Sequence, residues 1–212
     1  MMSQKTLFEY IKDEIVEIPL NSEMYPQKLR VIRNPPKILY ALGNLDLLNR
    51  RIVAIVGTRN VSKMGEMYAR RSAELYAQKG YNIASGLAIG VDTIAMKSAL
   101  NCGAKVIAIL PSSIENIVPK SNKSLANEIV EKGGLLVSEY NNDTIKKYHF
   151  IQRNRIISGL ADLVVVVETG IKGGTMHTVK FAKEQGKKII VADIPASGNR
   201  KLIDEGYEVL RI

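Results

Sequence analysis

Residues 150–167 read Phe-Ile-Gln-Arg-Asn-Arg-Ile-Ile-Ser-Gly-Leu-Ala-Asp-Leu-Val-Val-Val-Val. The closing run, Leu163–Val167, is continuously apolar and mostly β-branched, which is typical of a strand buried on both faces. Such strands occur mainly in parallel sheets covered by helices. The polar segment before this run carries Arg153, Asn154 and Arg155. We therefore expect an α/β fold in which these three side chains form an anion-binding site at the mouth of the sheet.

Aromatic side chains lie close to these arginines in the sequence. Tyr148 and Phe150 come directly before the arginine pair. Aromatic surface mixed with positive charge suits single-stranded nucleic acid, because the bases stack on rings and the phosphates attract cations. The alternative interpretation is that Arg153 and Arg155 are solvated charges on a helix face.

Strands and helices alternate along residues 51–212. The predicted strands are Ile52–Val56, Tyr81–Ala84, Lys105–Leu110, Leu135–Ser138, Leu163–Val167 and Lys188–Ala192. The predicted helices are Met64–Lys79, Val91–Asn101, Asn122–Lys132, Phe150–Leu160 and Thr175–Gln185. This strict alternation predicts a doubly wound, mostly parallel, Rossmann-like sheet. Residues 1–50, with an amphipathic helix over Thr6–Lys12 and several prolines, are expected to form a small N-terminal appendage to a nucleic-acid-binding domain at 51–212.

The charge balance favours a polyanionic partner. The chain has 212 residues and a formal net charge of +9. Residues 1–50 hold seven basic and six acidic side chains, whereas residues 51–212 hold 23 and 15. The positive excess therefore lies in the part predicted to form the sheet, and a basic surface is the electrostatic mark of nucleic-acid binding.

The composition argues against several other classes of protein. No apolar run approaches the roughly 20 residues that span a bilayer, and the polar start Met1–Lys5 lacks the apolar region of a signal peptide. We expect a cytoplasmic protein that makes no contact with a membrane. Cys102 is the only cysteine, which excludes an intramolecular disulfide. Two histidines without spaced carboxylates give no zinc pattern, so we expect no metal.

Three glycine turns follow predicted strands. They are Gly57-Thr58-Arg59, Ser85-Gly86, and Lys172-Gly173-Gly174-Thr175. In open α/β sheets ligands bind beyond the carboxyl ends of the strands, and glycine lets backbone N–H groups approach a ligand closely. A helix N-terminus after each turn adds partial positive charge. Together with Arg59, Arg153, Arg155 and Lys172, these turns predict a phosphate-rich ligand.

The sequence supports a dinucleotide cofactor or a catalytic site less well than it supports a phosphate-rich ligand. The first turn lacks the spaced glycine triplet of dinucleotide-binding folds, and the P-loop pattern is absent. Asp92 is expected to cap a helix or organise a loop. Glu139 and Glu168 each close a strand and are expected to orient the neighbouring arginines. A general-acid role for Asp92 would have no visible partner. His177 is expected to be a satisfied histidine on a helix face rather than a catalytic base, so we expect neither cofactor nor enzymatic activity.

Several segments of the chain resemble one family. The segments are Tyr25-Pro26, Asn34-Pro-Pro36, Gly43-Asn44, Val53-Ala-Ile-Val-Gly-Thr-Arg59, Ser85-Gly-Leu-Ala88, Gly90-Val-Asp92, Ser138-Glu-Tyr140, Arg153-Asn-Arg-Ile-Ile-Ser-Gly-Leu160 and Gly174-Thr175. In this order they resemble the DNA-processing protein A family, also called DprA or Smf. The resemblance runs from about Tyr25 to the C-terminus.

This resemblance implies an extended Rossmann fold that binds and protects single-stranded DNA and helps to load the RecA recombinase in natural transformation or recombination. It implies no cofactor and no reaction. By position, Arg59 resembles the family's principal DNA-contacting arginine. The same resemblance implies that Ser85, Gly86 and residues 153–155 surround this pocket and that residues 173–175 form its remaining wall.

The chain also departs from the family pattern. Met96 stands where many members have histidine, and the loop over residues 193–198 is short. We also expect no winged-helix module after Ile212. We therefore expect a short, divergent member. The alternative from the wider superfamily is a nucleotide-binding sensor or a phosphoribohydrolase, but Thr175–Thr178 offers no glutamate where the hydrolases carry their catalytic one.

The resemblance further implies a homodimer. The segment Tyr207–Ile212 alternates apolar and polar residues and predicts a closing strand, which is an edge that a partner would cover. The alternative is that this strand only ends the sheet and that Glu208 and Arg211 protect it.

Overall fold

A nine-stranded sheet forms the centre of the molecule. The computed structural model describes residues 15–142 and 144–212, so the helix predicted over Thr6–Lys12 lies outside the described residues. The strands are β1 Val16–Pro19, β2 Ile38–Gly43, β3 Ile52–Val56, β4 Asn82–Ser85, β5 Val106–Leu110, β6 Leu135–Ser138, β7 Leu163–Val166, β8 Lys188–Ala192 and β9 Glu208–Leu210. The α-helices are α1 Gln27–Arg30, α2 Lys63–Gln78, α3 Val91–Asn101, α4 Lys123–Glu131, α5 Lys147–Leu160, α6 Thr175–Glu184 and α7 Ser197–Asp204. Leu45–Asn49 and Lys120–Asn122 form short 3-10 helices.

The strand order is β1-β2-β6-β5-β4-β3-β7-β8-β9. The seven strands from β6 to β9 in this order pair in parallel, while β2 lies antiparallel to β6 and β1 antiparallel to β2. From β3 the chain builds outward through β4, β5 and β6, and then returns to place β7 on the other side of β3. The doubly wound, mostly parallel sheet is thus confirmed, and its strand order reverses between β3 and β7.

Helices cover both faces of the sheet, which explains the continuous apolar strands. On β3, Val53 and Ile55 belong to the core under α2, α3 and α4. Ile52, Ala54 and Val56 belong to the core under α1, α5, α6 and α7. All five residues of β3 are buried, so neither face of the strand tolerates a polar side chain.

The six strands and five helices predicted to alternate are all present, with small differences at their ends, and the closing strand predicted over Tyr207–Ile212 is β9. The helix predicted from Phe150 begins at Lys147. The sequence did not predict α7, because this helix has only eight residues and few of them are apolar, with Leu202 its one buried apolar side chain. β1 and β2 were also missed as strands, since prolines interrupt the region around them.

Residues 15–49 extend the same sheet. β2 pairs with β6 along Tyr40–Gly43, and the buried Tyr25 hydroxyl donates a hydrogen bond to the Pro36 carbonyl at 2.9 Å. Leu29 lies against Gly159 of α5, where a Cβ atom would overlap the Leu29 side chain. The boundary predicted at residue 50 therefore falls between two strands of one sheet, and the described part of the appendage packs on the domain.

Within residues 15–142 and 144–212, no helix is both long and apolar enough to cross a membrane. The same residues contain no group of three or more histidine, cysteine, aspartate or glutamate side chains placed to hold a metal ion.

Candidate functional site

A cavity of about 410 Å³ lies at the carboxyl ends of β3 and β7, which is the point where the strand order reverses. Ligands of open α/β sheets bind at such a point. Eight of the predicted site residues line the cavity: Gly57, Thr58, Arg59, Arg153, Asn154, Gly173, Gly174 and Thr175. The structure thus brings together three segments that are far apart in the sequence.

The turn after β3 forms the first wall and presents Arg59. The Thr58 N–H donates to the Glu168 carbonyl at 2.8 Å, and the Thr58 carbonyl accepts from the Val91 N–H at 3.2 Å. Gly90 has a φ of +82° and lies so close that a Cβ there would overlap the Thr58 and Arg59 carbonyls. Only glycine combines this backbone angle with such a close approach. The turn is therefore held from two sides while the Arg59 side chain remains exposed.

Arg59 and Phe150 form a pair at the cavity wall. The Arg59 guanidinium carbon lies 5.4 Å from the centroid of the Phe150 ring. This geometry is a cation–π contact. It leaves both a positive charge and part of an aromatic face beside the cavity, and these are the two groups that a nucleotide's phosphate and base require.

Arg153 supplies a second, buried charge. Its side chain is only 4% exposed, and one terminal nitrogen donates to the carbonyls of Gly86 and Ile109. Burial lowers the pKa of Arg153 to about 10, with the carboxylate of Asp92 opposing that shift. The guanidinium thus stays protonated at neutral pH, and its position in the wall is fixed.

Asp92 holds the loop that accepts Arg153. Its carboxylate accepts from the N–H groups of Gly86 at 3.0 Å and Ala88 at 3.3 Å. Burial raises its pKa, while Arg153 and these hydrogen bonds lower it. The prediction that Asp92 organises a loop is confirmed by these contacts.

The third wall is the turn between β7 and α6. Asn199 fixes this turn from α7: it accepts from the Thr169 N–H at 2.8 Å and donates to the Val167 carbonyl at 2.8 Å and the Ala192 carbonyl at 2.9 Å. Sequence reasoning missed Asn199 because α7 itself was not predicted. Lys172 is exposed on the same turn and does not line the cavity.

A smaller cavity of about 140 Å³ adjoins the first. Both cavities share Arg59, Ala88, Phe150 and Arg153. The smaller one adds the following residues: Gly86, Ile89, Val118 and Pro119. Its lining is mostly apolar apart from the two arginines, which suits a planar base better than a phosphate. Nothing in the sequence pattern indicated Ile89 or the Val118–Pro119 segment as part of the site.

The side chains of Ser85 and Arg155, two further predicted site residues, make their contacts inside the protein. Ser85 is fully buried and donates to the Ile55 carbonyl at 2.6 Å. Arg155 makes a bidentate ion pair with Glu139 at 2.7 and 2.6 Å and donates to the Asn34 carbonyl at 2.7 Å. The structure does not bring either side chain into the cavity. The expectation that Glu139 orients an arginine is confirmed.

The two aromatic residues noted in the sequence, Tyr148 and Phe150, lie in different surroundings. Phe150 lines both cavities, whereas Tyr148 is 53% exposed and contacts His149 edge to face at 4.6 Å. His149 in turn stacks on Tyr140 with 3.9 Å between ring centroids. Glu168, the other strand-end carboxylate, accepts from the backbone and hydroxyl of Ser62 at 2.9 and 3.1 Å. Glu168 therefore holds the start of α2, and the prediction that it orients an arginine is wrong.

The model of the family described as DNA recombination-mediator protein A matches residues 17–211. The chain belongs to this family. The Smf protein of Escherichia coli is 38% identical over 195 residues, a match that covers 89% of this chain and 52% of that protein. The chain thus spans about half the length of this relative.

Two solved structures of family members resemble this chain. DNA processing protein A from Streptococcus pneumoniae superposes with a TM-score of 0.86 at 33% identity, covering 95% of this chain and 74% of that one. DNA processing protein A from Helicobacter pylori gives a TM-score of 0.83 at 29% identity, covering 92% and 90%. The latter structure is described as showing a single-stranded DNA binding mode.

Proposed function

We propose that this protein binds single-stranded DNA in the cavity at the ends of β3 and β7. The observation that carries the proposal is the arrangement of Arg59, Phe150 and Arg153, which combines one exposed charge, one aromatic face and one fixed buried charge at a single site. The family membership and the single-stranded DNA binding described for the Helicobacter pylori protein support it.

The shape of the site favours a single strand over a duplex. Two adjoining cavities of about 410 and 140 Å³ accept one or two nucleotides whose bases are unpaired and turned away from the backbone. A duplex keeps its bases stacked inside and would present only phosphates. Stacking on Phe150 is therefore open to a single strand alone.

The proposed role is binding without a chemical step. The Asp92 carboxylate is engaged by two backbone N–H groups, and His177 is exposed at the rim of the cavity. As the family resemblance implies, the protein would protect single-stranded DNA and assist RecA in recombination or transformation. Because DNA and RecA are its proposed partners, we place this activity in the cytoplasm.

A homodimer is a further part of the proposal. β9 is the last strand at one edge of the sheet, which a partner strand would extend. The ion pairs of Glu208 with Lys188 at 2.7 Å and of Arg211 with Asp193 at 3.2 Å instead fit the alternative, in which charges protect this edge. A dimer would place two cavities on one strand and raise the affinity for long oligonucleotides without any new contact. Light scattering at about 23.5 kDa over tens of micromolar protein, with affinity that does not grow with oligonucleotide length, would refute the dimer.

The decisive experiment compares ligands at two salt concentrations. Labelled oligo-dT, a duplex of the same length and AMP are titrated against the protein. We expect oligo-dT to bind most tightly, with a log–log salt slope near −3 if about four phosphates are neutralised at roughly −0.7 each. Equal or tighter binding of the duplex would overturn the proposal, and tighter binding of AMP would favour the nucleotide-sensor alternative.

A further inference from the structure

A second groove continues from the proposed DNA site. It encloses about 350 Å³ between the segment after α1 and helices α5 and α6. Ile151 and His177 line both this groove and the cavity at the strand ends. The two spaces are therefore neighbours, and a strand that leaves the first passes Ile151 and His177 to enter the second.

We propose that this groove binds the phosphodiester backbone of the nucleotides that adjoin those in the site, so that one protomer covers a longer stretch of single strand. The inference rests on the proposed function. Its ligand chemistry is that of consecutive phosphates carried on a flexible, unpaired chain.

The charges of the groove support this ligand. Five cationic side chains line it, against one carboxylate, that of Glu184; they are Lys28, Arg33, Arg155, Lys180 and Lys187. Three of the five are already engaged. Arg155 pairs with Glu139, Lys28 lies 2.7 Å from Asp162, and Lys187 donates to the Gly159 carbonyl at 3.1 Å.

The other two cations, Arg33 and Lys180, are available to a ligand. Arg33 is exposed and makes no hydrogen bond or ion pair with any residue in the described parts of the chain. Lys180 is 73% exposed and lies 4.0 Å from Glu184. An exposed pair at that distance contributes little, so Lys180 can turn toward a phosphate at small cost.

The groove also has the apolar surface that bases need. Phe181 lines it, and Val31 and Ile151 are 83% and 37% exposed there. Apolar side chains between cations are typical of surfaces that follow a single strand, because base and phosphate alternate along it. An acidic protein segment would use the cations but would gain less from these side chains.

The test uses the double variant Arg33→Ala/Lys180→Ala and two oligonucleotides, one of about 2 nucleotides that the two cavities alone accept and one of about 20 that extends beyond them. We expect the short oligonucleotide to bind as it does to the unchanged protein. Affinity for the long one should fall about tenfold, because each contact of an exposed charge is worth much less than a desolvated charge-assisted hydrogen bond. Its salt slope should become shallower by about 1.4, because each lost phosphate contact accounts for roughly 0.7.

A matched control is Arg71→Ala/Lys97→Ala, which removes the same two charges from exposed positions on α2 and α3, on the opposite face of the sheet. If the control variant loses as much affinity for the long oligonucleotide as the double variant does, the effect is one of net charge and the groove assignment is wrong. Equal loss for the short and long oligonucleotides would also overturn it, as would unchanged binding of both by a variant that melts like the parent.

The outcomes separate the two proposals. If the unchanged protein binds neither oligonucleotide, the proposed function fails and the groove inference fails with it. If it binds both and the double variant binds both equally well, only the groove inference fails. If an acidic peptide such as poly-glutamate displaces neither oligonucleotide while oligo-dT does, the groove is selective for nucleic acid.

Discussion

The guanidinium of Arg153 occupies the space where residue 86 would carry a side chain. A Cβ atom built on Gly86 would overlap three atoms of that guanidinium, and the Gly86 carbonyl accepts a hydrogen bond from it. The glycine is therefore required by the arginine, because the backbone of the turn after β4 must come within van der Waals contact of a buried cation. Two residues 67 positions apart thus define one wall of the proposed DNA site.

Gly86→Ala tests this relationship. The added methyl group would displace Arg153 or the turn, and such overpacking typically costs about 1–3 kcal/mol of stability. We expect the free energy of unfolding to fall by that amount and oligo-dT affinity to fall with it. Gly174→Ala is the control, since a Cβ there meets no atom within 4 Å and should leave stability nearly unchanged. Equal stability of both variants would show that the Arg153 guanidinium moves aside without loss of stability.

Arg59→Ala tests the exposed charge of the site. Arg59 lines both cavities, whereas Arg70 and Arg71 lie along α2 and pair with Glu66 at 2.8 Å and Glu74 at 3.7 Å. A charge-assisted phosphate contact is worth about 1.5–3 kcal/mol, so we expect roughly a ten- to hundredfold loss of oligo-dT affinity. Arg70→Ala and Arg71→Ala should have little effect. Similar losses for all three variants in the same fluorescence titration would mean that bulk charge alone drives binding.

Arg155→Ala separates stability from binding. The substitution leaves Glu139 largely buried without its counter-charge, and breaking a buried pair in this way typically costs about 3–5 kcal/mol. We expect a large fall in the denaturation midpoint and, below that midpoint, an oligo-dT affinity much closer to the parent than that of Arg59→Ala. Replacing both partners, as in Arg155→Met with Glu139→Leu, should restore most of the stability. If the folded Arg155→Ala variant loses as much affinity as Arg59→Ala, Arg155 contacts DNA directly.

Tyr25 makes the docking of residues 15–49 sensitive to alkaline pH. Burial raises the pKa of its hydroxyl to about 12 from 10.0. Above about pH 10 the unfolded chain therefore loses this proton before the folded one does, and stability present below pH 10 declines as pH rises toward 12. Two pKa units correspond to about 2.7 kcal/mol. Denaturant unfolding of Tyr25→Phe beside the parent should show their stability difference shrinking over that range, and a constant difference would contradict the shift.

The sequence predicted the sheet because its signals are local. A run such as Leu163–Val167 is apolar at every position, and glycines such as Gly80 and Gly133, both with positive φ, follow helices closely. The alternation of elements is therefore visible without any contact information. The location of the site was also predictable, since Gly57, Arg59 and Gly174 follow strand ends and all such ends of parallel strands lie on one edge.

Arg153 and Arg155 show what the sequence could not separate. Both stand in one short polar segment of α5, two positions apart, and both carry the same charge. Two positions along a helix correspond to about 200° around its axis, so the two side chains leave on nearly opposite sides. Arg153 reaches Gly86 and the cavity, whereas Arg155 reaches Glu139 and Asn34.

The sequence by itself therefore determined the alternation of strands and helices from β3 to β8, the edge of the sheet that holds the site, and the residue types available there. Only the tertiary structure decided which of those residues share a cavity, because Glu139 and Asn34, the partners that hold Arg155 away, lie 16 and 121 positions from it. It likewise added Asn199, Ile89 and Val118 to the site and its support. Their roles depend on contacts between distant segments, and such contacts leave no periodic trace in the chain.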